Sequence, residues 1–411
     1  MNSLGKNKLV LLLIGISLIT INPRVNGWNE ASRMALTQSL VENGSLTIDK
    51  SPFTQTGDKV YIDGKFYSDK PPLPSILAAA AYFPIYHLGI HLDYGWNLAY
   101  YLIILFTIKF WWVLSILAFR RILILTGVAE DQLTKLTLMF AFASLAFSWS
   151  ATFNNHSLAA SWSTIALMYY LQGIGRSNPV QDFMLSGLFF GLAGAADVPM
   201  SIFFLSFTVL AYIKLKLSTG FFTYLVGGLI PLSIYGLVNY SISGSLMPVQ
   251  IVAEHFQFAG SVWGQGLQAN SMLETLQYGF LSLFGVRGFI WYNPLLIILI
   301  PIIVAQIKSG MRHRYEAIAI SISSIILTFY YFIFTQNYGG WSYSIRWFVP
   351  LLPFFYLFLT SLGSDQNRFV RIIVPISMII SMIGLINPWS NADLHPVPFI
   401  ANLKQLSLFL F

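Results

Sequence analysis

The sequence lacks cysteine altogether and carries few charged residues. Without cysteine, the chain can form neither disulfides nor thiolate metal sites, and cysteine usage gives no information about the redox compartment. Charged residues make up 9% of the 411 positions, whereas soluble domains carry about 25%. Hydrophobic residues reach 56%. This balance predicts an integral membrane protein and excludes an ordinary soluble domain.

Sequence motifs for several common chemistries are also absent. The chain contains no zinc-binding spacing, phosphate-binding glycine loop, dinucleotide fingerprint or Ser-His-Asp order. No internal repeat, low-complexity tract or soluble domain beyond the first loop is recognisable. Because no nucleotide-binding domain is present, a nucleotide-sugar donor used inside the cell is disfavoured. The net charge of +7 lies mostly in short loops between apolar runs, so it indicates topology rather than nucleic-acid binding.

Long apolar runs predict eleven transmembrane helices. The first runs over 9–21 after Lys6 and Lys8, and no small-residue cleavage site follows, so we expect a retained helix rather than a secretory signal. The other ten spans are predicted at 97–119, 133–152, 157–174, 182–197, 199–213, 221–241, 291–307, 315–335, 346–362 and 370–388. Gly187 and Gly191 form a small-xxx-small pair, which predicts close helix packing.

The predicted fold is therefore an all-α polytopic membrane protein with about eleven transmembrane helices. We expect one membrane domain over 1–411. It consists of a long first outer loop (22–96) that carries short helices and a β-hairpin, the remaining spans (97–388) and an outer tail (389–411).

Basic residues give the expected orientation in a cell membrane. If the first end is cytoplasmic and the apolar helix after Pro72 lies in the interface, nearly all loop lysines and arginines fall inside. The loops at Arg120, Lys214 and Arg312 are then cytoplasmic, whereas the loop 22–96 and residue 411 are outside. The tryptophans expected in an outer aromatic belt are Trp291, Trp341, Trp347 and Trp389.

The first outer loop carries the most distinctive local pattern. Lys59–Ile62 and Lys65–Ser68 are strand-like runs joined by Asp63-Gly64, a strong signal for a two-residue hairpin. Asp69 and Lys70 follow, and the proline after Lys70 holds it in an extended conformation. We expect these two charges to be fixed at a corner between hairpin and helix, where the alternative is a local surface ion pair. Upstream, Asn29 is expected to cap a short helix that ends at Gly44.

Several polar residues on the predicted outer side could carry chemistry. Arg287 and Arg346 lie in apolar and aromatic sequence at outer span ends, against the positive-inside trend. We therefore expect each arginine to bind an anionic group such as a phosphate. The alternatives are that its side chain snorkels to the membrane surface or forms a structural ion pair with an acid. His156 follows the third span beside Asn155, and Asp197 lies where two short apolar segments meet. Structural roles, or a surface turn in the case of Asp197, remain alternatives.

The first loop and the segment before Arg346 together resemble a known group of enzymes. The matching residues are Asn29-Glu30, Gly44-Ser45, Tyr67-Ser68-Asp69-Lys70-Pro71-Pro72 and the Gly-Gly-Trp-x-Tyr-x-x-Arg stretch that ends at Arg346. This arrangement resembles the GT-C superfamily of membrane glycosyltransferases, especially the aminoarabinose–lipid A and protein O-mannosyltransferase-like (family 39-like) group. Those relatives usually have Asp-Glu where this chain has Asn29-Glu30, and the aminoarabinose transferases have Asp where it has Ser45.

The resemblance implies transfer of a hexosyl or pentosyl group from a polyprenyl-phosphate carrier to a glycan, lipid or protein on the extracytoplasmic face. Such a reaction would serve a cell-envelope glycan. A lipid-phosphate leaving group needs cations and one carboxylate to take the acceptor's proton. The candidate catalytic acids are Glu30, Asp58 and Asp69. The candidate donor-phosphate ligands are Lys70, Arg287 and Arg346. The candidate substrate-binding residues are Arg33, Tyr67, Asn155, His156 and Asp197.

No cofactor is required by these residues, although a divalent metal ion would be compatible with them. Two other functions compete with glycosyl transfer. A transporter or flippase of lipid-linked glycans would favour paired repeats and charges at the membrane midplane, neither of which stands out here. An O-antigen polymerase or ligase type of enzyme would favour large outer loops late in the chain, whereas the large loop here is early.

Overall fold

The computed structural model describes residues 3–263, 269–309, 313–362 and 368–410. Arg312 and residue 411, which enter the predicted topology, lie outside these ranges. Most of the described chain is helical, as an all-α membrane protein requires. The α-helices are Ser3–Ile19, Trp28–Asn43, Pro72–His87, Leu98–Ile104, Phe110–Leu125, Glu130–Phe142, Leu145–Trp149, Asn155–Ile174, Val180–Ala196, Ser201–Leu215, Thr219–Ser243, Met272–Phe284, Phe289–Tyr292, Leu296–Ser309, Arg314–Phe334, Leu352–Tyr356, Arg368–Ile386 and Pro398–Leu410. A π-helical turn, Leu105–Lys109, joins two of these helices into one.

Five helices in the described ranges are long and apolar enough to cross a bilayer, which agrees with a membrane protein. They are Leu98–Leu125, Val198–Leu215, Thr219–Ser243, Arg314–Phe334 and Arg368–Ile386. Met272–Tyr292 and Leu296–Ser309 form a pair bent by 95°, and counting it as one broken span gives six. The larger count of eleven spans stays a prediction.

Several of the other predicted spans are short or interrupted. The run 133–152 divides into Glu130–Phe142 and Leu145–Trp149. The run 346–362 is not a regular α-helix, because 3₁₀ turns at Arg346–Leu351 and Leu357–Ser361 flank a single short α-helix. Prolines account for part of this irregularity, since a proline inside a helix removes a backbone hydrogen bond.

Glycines allow a close helix contact near the middle of the chain. A Cβ atom added to Gly187 would lie 2.0 Å from the carbonyl oxygen of Tyr224, and one added to Gly191 would lie 2.2 Å from that of Gly228. The backbones of Val180–Ala196 and Thr219–Ser243 therefore touch in a way that no larger residue would allow. The predicted role of the Gly187/Gly191 pair in helix packing is confirmed.

The helix of the first loop begins earlier than the sequence indicates. It runs over Trp28–Asn43 after Gly27, so the prediction that Asn29 is the N-cap is wrong. The side chain of Glu30 reaches back instead, and its Oε2 accepts hydrogen bonds from the N–H groups of Asn26 (2.7 Å) and Gly27 (3.1 Å). A glutamate at the third helical position that reaches back to the N–H of the N-cap residue is one half of a capping box, and its charge suits the helix N-terminus. At the other end the helix stops at Gly44, which has a φ of 58°.

The two strands of the first loop have the bounds that the sequence pattern indicates. Strand β1 (Lys59–Ile62) pairs antiparallel with strand β2 (Lys65–Ser68). Asp63 and Gly64 have φ values of 49° and 81°, and positive φ at both positions is what a type I′ turn needs. Val60 and Ile62 pack against Val249 and Phe256 in a small separate core. This contact holds the hairpin, and the charged corner after it, against the polar segment between Ser243 and Gln277, which contains Val249 and Phe256.

The main hydrophobic core extends from Leu9 to Trp389 and joins most of the helices. Three breaks in the helices open toward one side of it. One is the loop before the helix Asn155–Ile174, one is Asp197 between Val180–Ala196 and Ser201–Leu215, and one is the start of the segment Arg346–Ser361. Because helix ends leave polar backbone groups and side chains free, these breaks bring polar residues together.

Candidate active site

A pocket of about 330 Å³ lies where these helix breaks meet the first loop. Its walls carry three carboxylates and three basic side chains, together with one histidine. The charged side chains are Asp58, Asp69, Asp197, Arg33, Lys70 and Arg346. Apolar surroundings make such charges costly unless they are paired or reserved for a ligand. The pocket is therefore the candidate active site.

Lys70 lies between two carboxylates at the corner after the hairpin. Its Nζ is 2.8 Å from Oδ2 of Asp58 and 2.8 Å from Oδ2 of Asp69. We call these three residues the lysine clamp. Each acid has a second donor: the indole of Trp263 donates to Oδ1 of Asp58 (3.2 Å), and the hydroxyl of Ser32 donates to Oδ1 of Asp69 (3.2 Å). Asp69 and Lys70 are thus fixed at the corner as the sequence predicts, although in a buried cluster and not as a surface ion pair.

The shared lysine makes the two acids of the clamp unequal. Burial works to raise the pKa of Asp58, but Lys70 and Arg346 outweigh it and hold that pKa below its ordinary value. Burial raises the pKa of Asp69 above its ordinary value, and the neighbouring negative charge of Asp58 adds to the rise, against the opposing effect of Lys70. Two carboxylates on one cation commonly divide in this way. Asp69 is therefore the acid of the clamp that takes up a proton more readily.

Arg33 and Arg346 form a second group, which we call the arginine pair. Arg33 is 1% exposed, and its Nη2 donates to the side-chain oxygen of Asn155 (2.7 Å). The guanidinium of Arg346 lies over the ring of Trp389, 4.7 Å from its centre. Within the described residues, Nε and Nη1 of both arginines are buried and have no hydrogen-bond partner. Leaving a buried donor unsatisfied costs about 1–3 kcal/mol, so four such nitrogens point to an absent acceptor group.

The arginine pair remains charged at neutral pH. Burial lowers the pKa of Arg33 to about 10, with Arg346 lowering it further and Asp69 opposing the change. A guanidinium with that pKa still carries its proton at physiological pH. The pair therefore presents two positive charges, whereas the charge of Lys70 is already balanced within the clamp.

His156 and Asp197 form the third group in the pocket. Nδ1 of His156 lies 2.6 Å from Oδ2 of Asp197, and the hydroxyl of Tyr331 donates to Oδ1 at 3.5 Å. Both side chains are only 4% exposed, so Asp197 is not part of a surface turn. Burial lowers the pKa of His156, against the opposing effect of Asp197. The imidazole is therefore neutral at neutral pH, and Nε2 is its available nitrogen.

Three of the residues singled out in the sequence do not line this pocket. Glu30 is fully buried, and its Oε1 accepts hydrogen bonds from the hydroxyls of Tyr100 and Thr152. Tyr67 packs against the small core behind the hairpin. Arg287 donates to the carbonyl oxygen of Gly340 and lies beside a different cavity. The structure therefore brings together Asp58, Asp69, Lys70, Arg33, Arg346, Asn155, His156 and Asp197.

Glu30 gives a prediction about stability. Burial raises its pKa from 4.5 to about 7, despite the hydrogen bonds that favour the charged form. A carboxyl group with a raised pKa binds its proton more tightly in the folded state, so the free energy of unfolding falls as pH rises between about 4.5 and 7. The fall is about 3 kcal/mol, at 1.36 kcal/mol per pH unit. We expect Glu30→Gln to remove it, as measured by unfolding of the detergent-solubilised protein between about pH 5 and 8.

The control for this measurement is Glu274→Gln, which changes an exposed glutamate at the start of the helix Met272–Phe284. That variant should keep the wild-type dependence of stability on pH over the same range. An equal dependence in Glu30→Gln and wild type would show that this carboxyl group does not take up a proton on folding.

Aromatic residues of the pocket are largely missed by sequence reasoning. Trp389 is 7% exposed and lies under Arg346, and Trp347 lines the pocket, so both pack against protein groups, while their place near the outer interface stays a prediction. The ring of Trp389 is covered by the guanidinium of Arg346 on one side and packs edge-on against Trp149, with 5.1 Å between the ring centres. Trp291 and Trp341 are about half exposed, at 54% and 52%. Sequence reasoning did not identify Trp263 as a pocket residue. The signal that could have found it is the position of this large aromatic residue in a polar segment.

A second cavity, of about 630 Å³, is almost wholly apolar. It lies between the bent helix pair and Arg368–Ile386, with walls that include Phe284, Val286 and Ile379. Arg287 directly follows one of these wall residues. The loop before Arg346 contacts this region, because Gly340 accepts from Arg287 and the hydroxyl of Ser344 donates to the carbonyl oxygen of Arg287 (2.9 Å). One loop thus connects the apolar cavity with the arginine pair.

Metal binding has no preformed site in the part of the chain that the structure describes. No three His, Asp or Glu side chains are gathered there in an arrangement that could hold a metal ion. In the pocket, the carboxylates are instead each engaged by Lys70 or His156.

No protein-family model and no curated protein match this sequence. Three similar solved structures are of the oligosaccharyltransferase of Archaeoglobus fulgidus. Its apo form has a TM-score of 0.48 and 12% identity, over 99% of this chain and 56% of that one. The complex with zinc and sulfate has a TM-score of 0.46 and 14% identity, over 96% and 52%. The complex with an inhibitory peptide and a dolichol-phosphate has a TM-score of 0.44 and 12% identity, over 97% and 56%. This chain spans about half the length of that protein, and scores below 0.5 do not by themselves establish a common fold.

Proposed function

We propose that the protein is a membrane glycosyltransferase, which moves a sugar from a polyprenyl-phosphate carrier to an acceptor on the extracytoplasmic face. The observation that carries this proposal is the pocket itself, in which the arginine pair offers four buried nitrogens that have no partner among the described residues and lie beside the lysine clamp. Positive groups with spare N–H donors suit an anionic phosphate leaving group. The carboxylates and the histidine of the same pocket can accept the proton that a hydroxyl nucleophile must lose. The GT-C resemblance of the first loop points the same way.

The arginine pair is proposed as the main binding site for the donor phosphate. Lys70 spends two of the three N–H donors of its ammonium on Asp58 and Asp69, which leaves one for a phosphate oxygen. In the part of the chain that the structure describes, neither guanidinium forms a salt bridge, so the positive charge of both is available to a phosphate. A phosphate bound there would also satisfy the four buried nitrogens.

The lipid tail of the donor is proposed to lie in the apolar cavity near Arg287. The cavity wall is built largely of aromatic and aliphatic side chains, which suit a hydrocarbon chain. Arg287 would then lie near the boundary between tail and headgroup, and not in the pocket. The loop that ends at Arg346 would pass between tail and phosphate, since it contacts both sites.

Asn155 is proposed to contact the sugar or the acceptor, because it lines the pocket and is held there by Arg33. Tyr67 packs behind the hairpin, so the substrate-binding role expected for it from the sequence is not part of this proposal. The acceptor is a glycan, a lipid or a protein. The proposal requires no cofactor. A chelating agent in the assay tests whether a divalent ion contributes.

The test is a panel of donors supplied to the purified protein in detergent or lipid vesicles. The panel contains polyprenyl-phosphate carriers of different sugars. We expect at least one of them to be consumed, with release of polyprenyl phosphate, when a matching acceptor is present. Turnover of a soluble nucleotide sugar, with none from any lipid-linked donor, would contradict the proposal. Movement of an intact lipid-linked glycan across the vesicle membrane without consumption would identify the flippase alternative.

A further inference from the structure

His156 brings a neutral imidazole into the pocket, and within the described residues the ring is hydrogen-bonded through one of its two nitrogens. The acids Asp58 and Asp69 both hold the ammonium of Lys70 at 2.8 Å, and moving a proton onto either would weaken the lysine clamp. Among the described residues, His156 forms its hydrogen bond through Nδ1, which faces Asp197, and Nε2 has no partner. A neutral imidazole that donates from one ring nitrogen has the other free as an acceptor. Nε2 is therefore the free acceptor of this ring.

Asp197 is placed to orient the imidazole. It lies at the break between two helices, so its backbone position is set by both of them, and Tyr331 donates to its other oxygen. At 2.6 Å, the carboxylate fixes the ring and would stabilise the positive charge that appears when Nε2 takes a proton. A base that is oriented by a buried carboxylate is the common arrangement for activating a hydroxyl group.

The other charges around His156 keep it ready to act as a base. Arg33, Arg346 and Tyr331 face it from three other elements, together with the lysine clamp across the pocket. The positive charges of the two guanidiniums disfavour protonation of the imidazole before substrate binds. When an anionic phosphate occupies the arginine pair, that repulsion falls and proton uptake becomes easier.

We propose that His156, oriented by Asp197, is the general base that takes the proton from the acceptor hydroxyl, an inference that rests on the glycosyl transfer proposed above. The acceptor oxygen forms a bond to the anomeric carbon of the donor while its proton passes to Nε2. The bond between that carbon and the phosphate oxygen breaks, and its electron pair leaves with polyprenyl phosphate. The imidazolium then returns its proton to water. The acids of the lysine clamp hold Lys70 and do not accept this proton.

The test compares His156→Ala and Asp197→Asn with wild type in the donor-consumption assay. Loss of a general base lowers turnover by ~10²–10⁴, and added imidazole should restore part of it in His156→Ala, because a free base can enter the space left by the side chain. In Asp197→Asn the acid limb of kcat/KM against pH should move to lower pH, since the carboxylate no longer stabilises the protonated ring.

Two results would overturn the inference while wild type is active: near wild-type turnover in His156→Ala, or an unmoved acid limb in Asp197→Asn. The second variant keeps the shape of the side chain, so it decides the question even where His156→Ala fails to fold. Disappearance of the acid limb in Asp69→Asn would assign the base to the clamp instead. A wild-type protein that consumes no lipid-linked donor would refute the proposed function itself, which is a separate outcome.

Discussion

Lys70→Met is expected to lower sugar transfer by ~10²–10³, because it removes the cation that holds both clamp acids and that, in the proposed function, also contacts the donor phosphate. It should also destabilise the protein by about 3–5 kcal/mol, since Asp58 and Asp69 are then buried together without their shared partner. Donor consumption and thermal unfolding in detergent measure the two effects separately.

The double variant Lys70→Met/Asp58→Asn separates catalysis from folding. Removing one acid relieves the repulsion between the two carboxylates, so we expect stability to recover while transfer stays low. Asp63→Asn is the matched control from the same hairpin, because asparagine also adopts the positive φ of the turn. Recovery of transfer in the double variant would mean that Lys70 only stabilises the corner and has no part in the reaction.

Arg346→Lys is expected to lower kcat/KM for a polyprenyl-phosphate sugar by ~10²–10³ while the fold is kept. Lysine keeps the charge, but it loses both the planar fork that grips a phosphate and the stacking on Trp389. The effect should appear in the KM for the donor as well as in kcat, since the unpartnered nitrogens of Arg346 are available before the reaction begins.

Arg287→Lys is the matched control, because Arg287 is also a partly buried arginine at a predicted outer span end but lies outside the pocket. Its contact with the carbonyl oxygen of Gly340 is one that an ammonium can also make. We therefore expect a much smaller loss than for Arg346→Lys. An equal or larger loss would place the donor phosphate at Arg287 and contradict the assignment to the arginine pair.

Features that depend on local sequence were predictable in this protein. A low charge content and long apolar runs predict a membrane protein whatever the arrangement of the helices. Asp63-Gly64 specifies its turn because only a few residues tolerate positive φ at both positions. The corner at Asp69 and Lys70 follows from the prolines behind it.

The identity of the site depended on contacts between distant parts of the chain. Glu30 and Asp69 are both acids of the first loop, yet one is a buried helix cap and the other joins the pocket. Their sequence neighbours do not distinguish them, because burial and hydrogen-bond partners supplied by Tyr100, Thr152 and Lys70 decide the roles.

The sequence by itself determined that the chain enters a membrane, where its first loop turns, and which charges stand against the topology trend. Only the tertiary structure decided that Arg33 meets Asn155, that His156 meets Asp197, and that Trp263 reaches Asp58. The physical reason is that periodicity and turn chemistry act between near neighbours, whereas a contact across tens or hundreds of residues leaves no repeating pattern in the sequence.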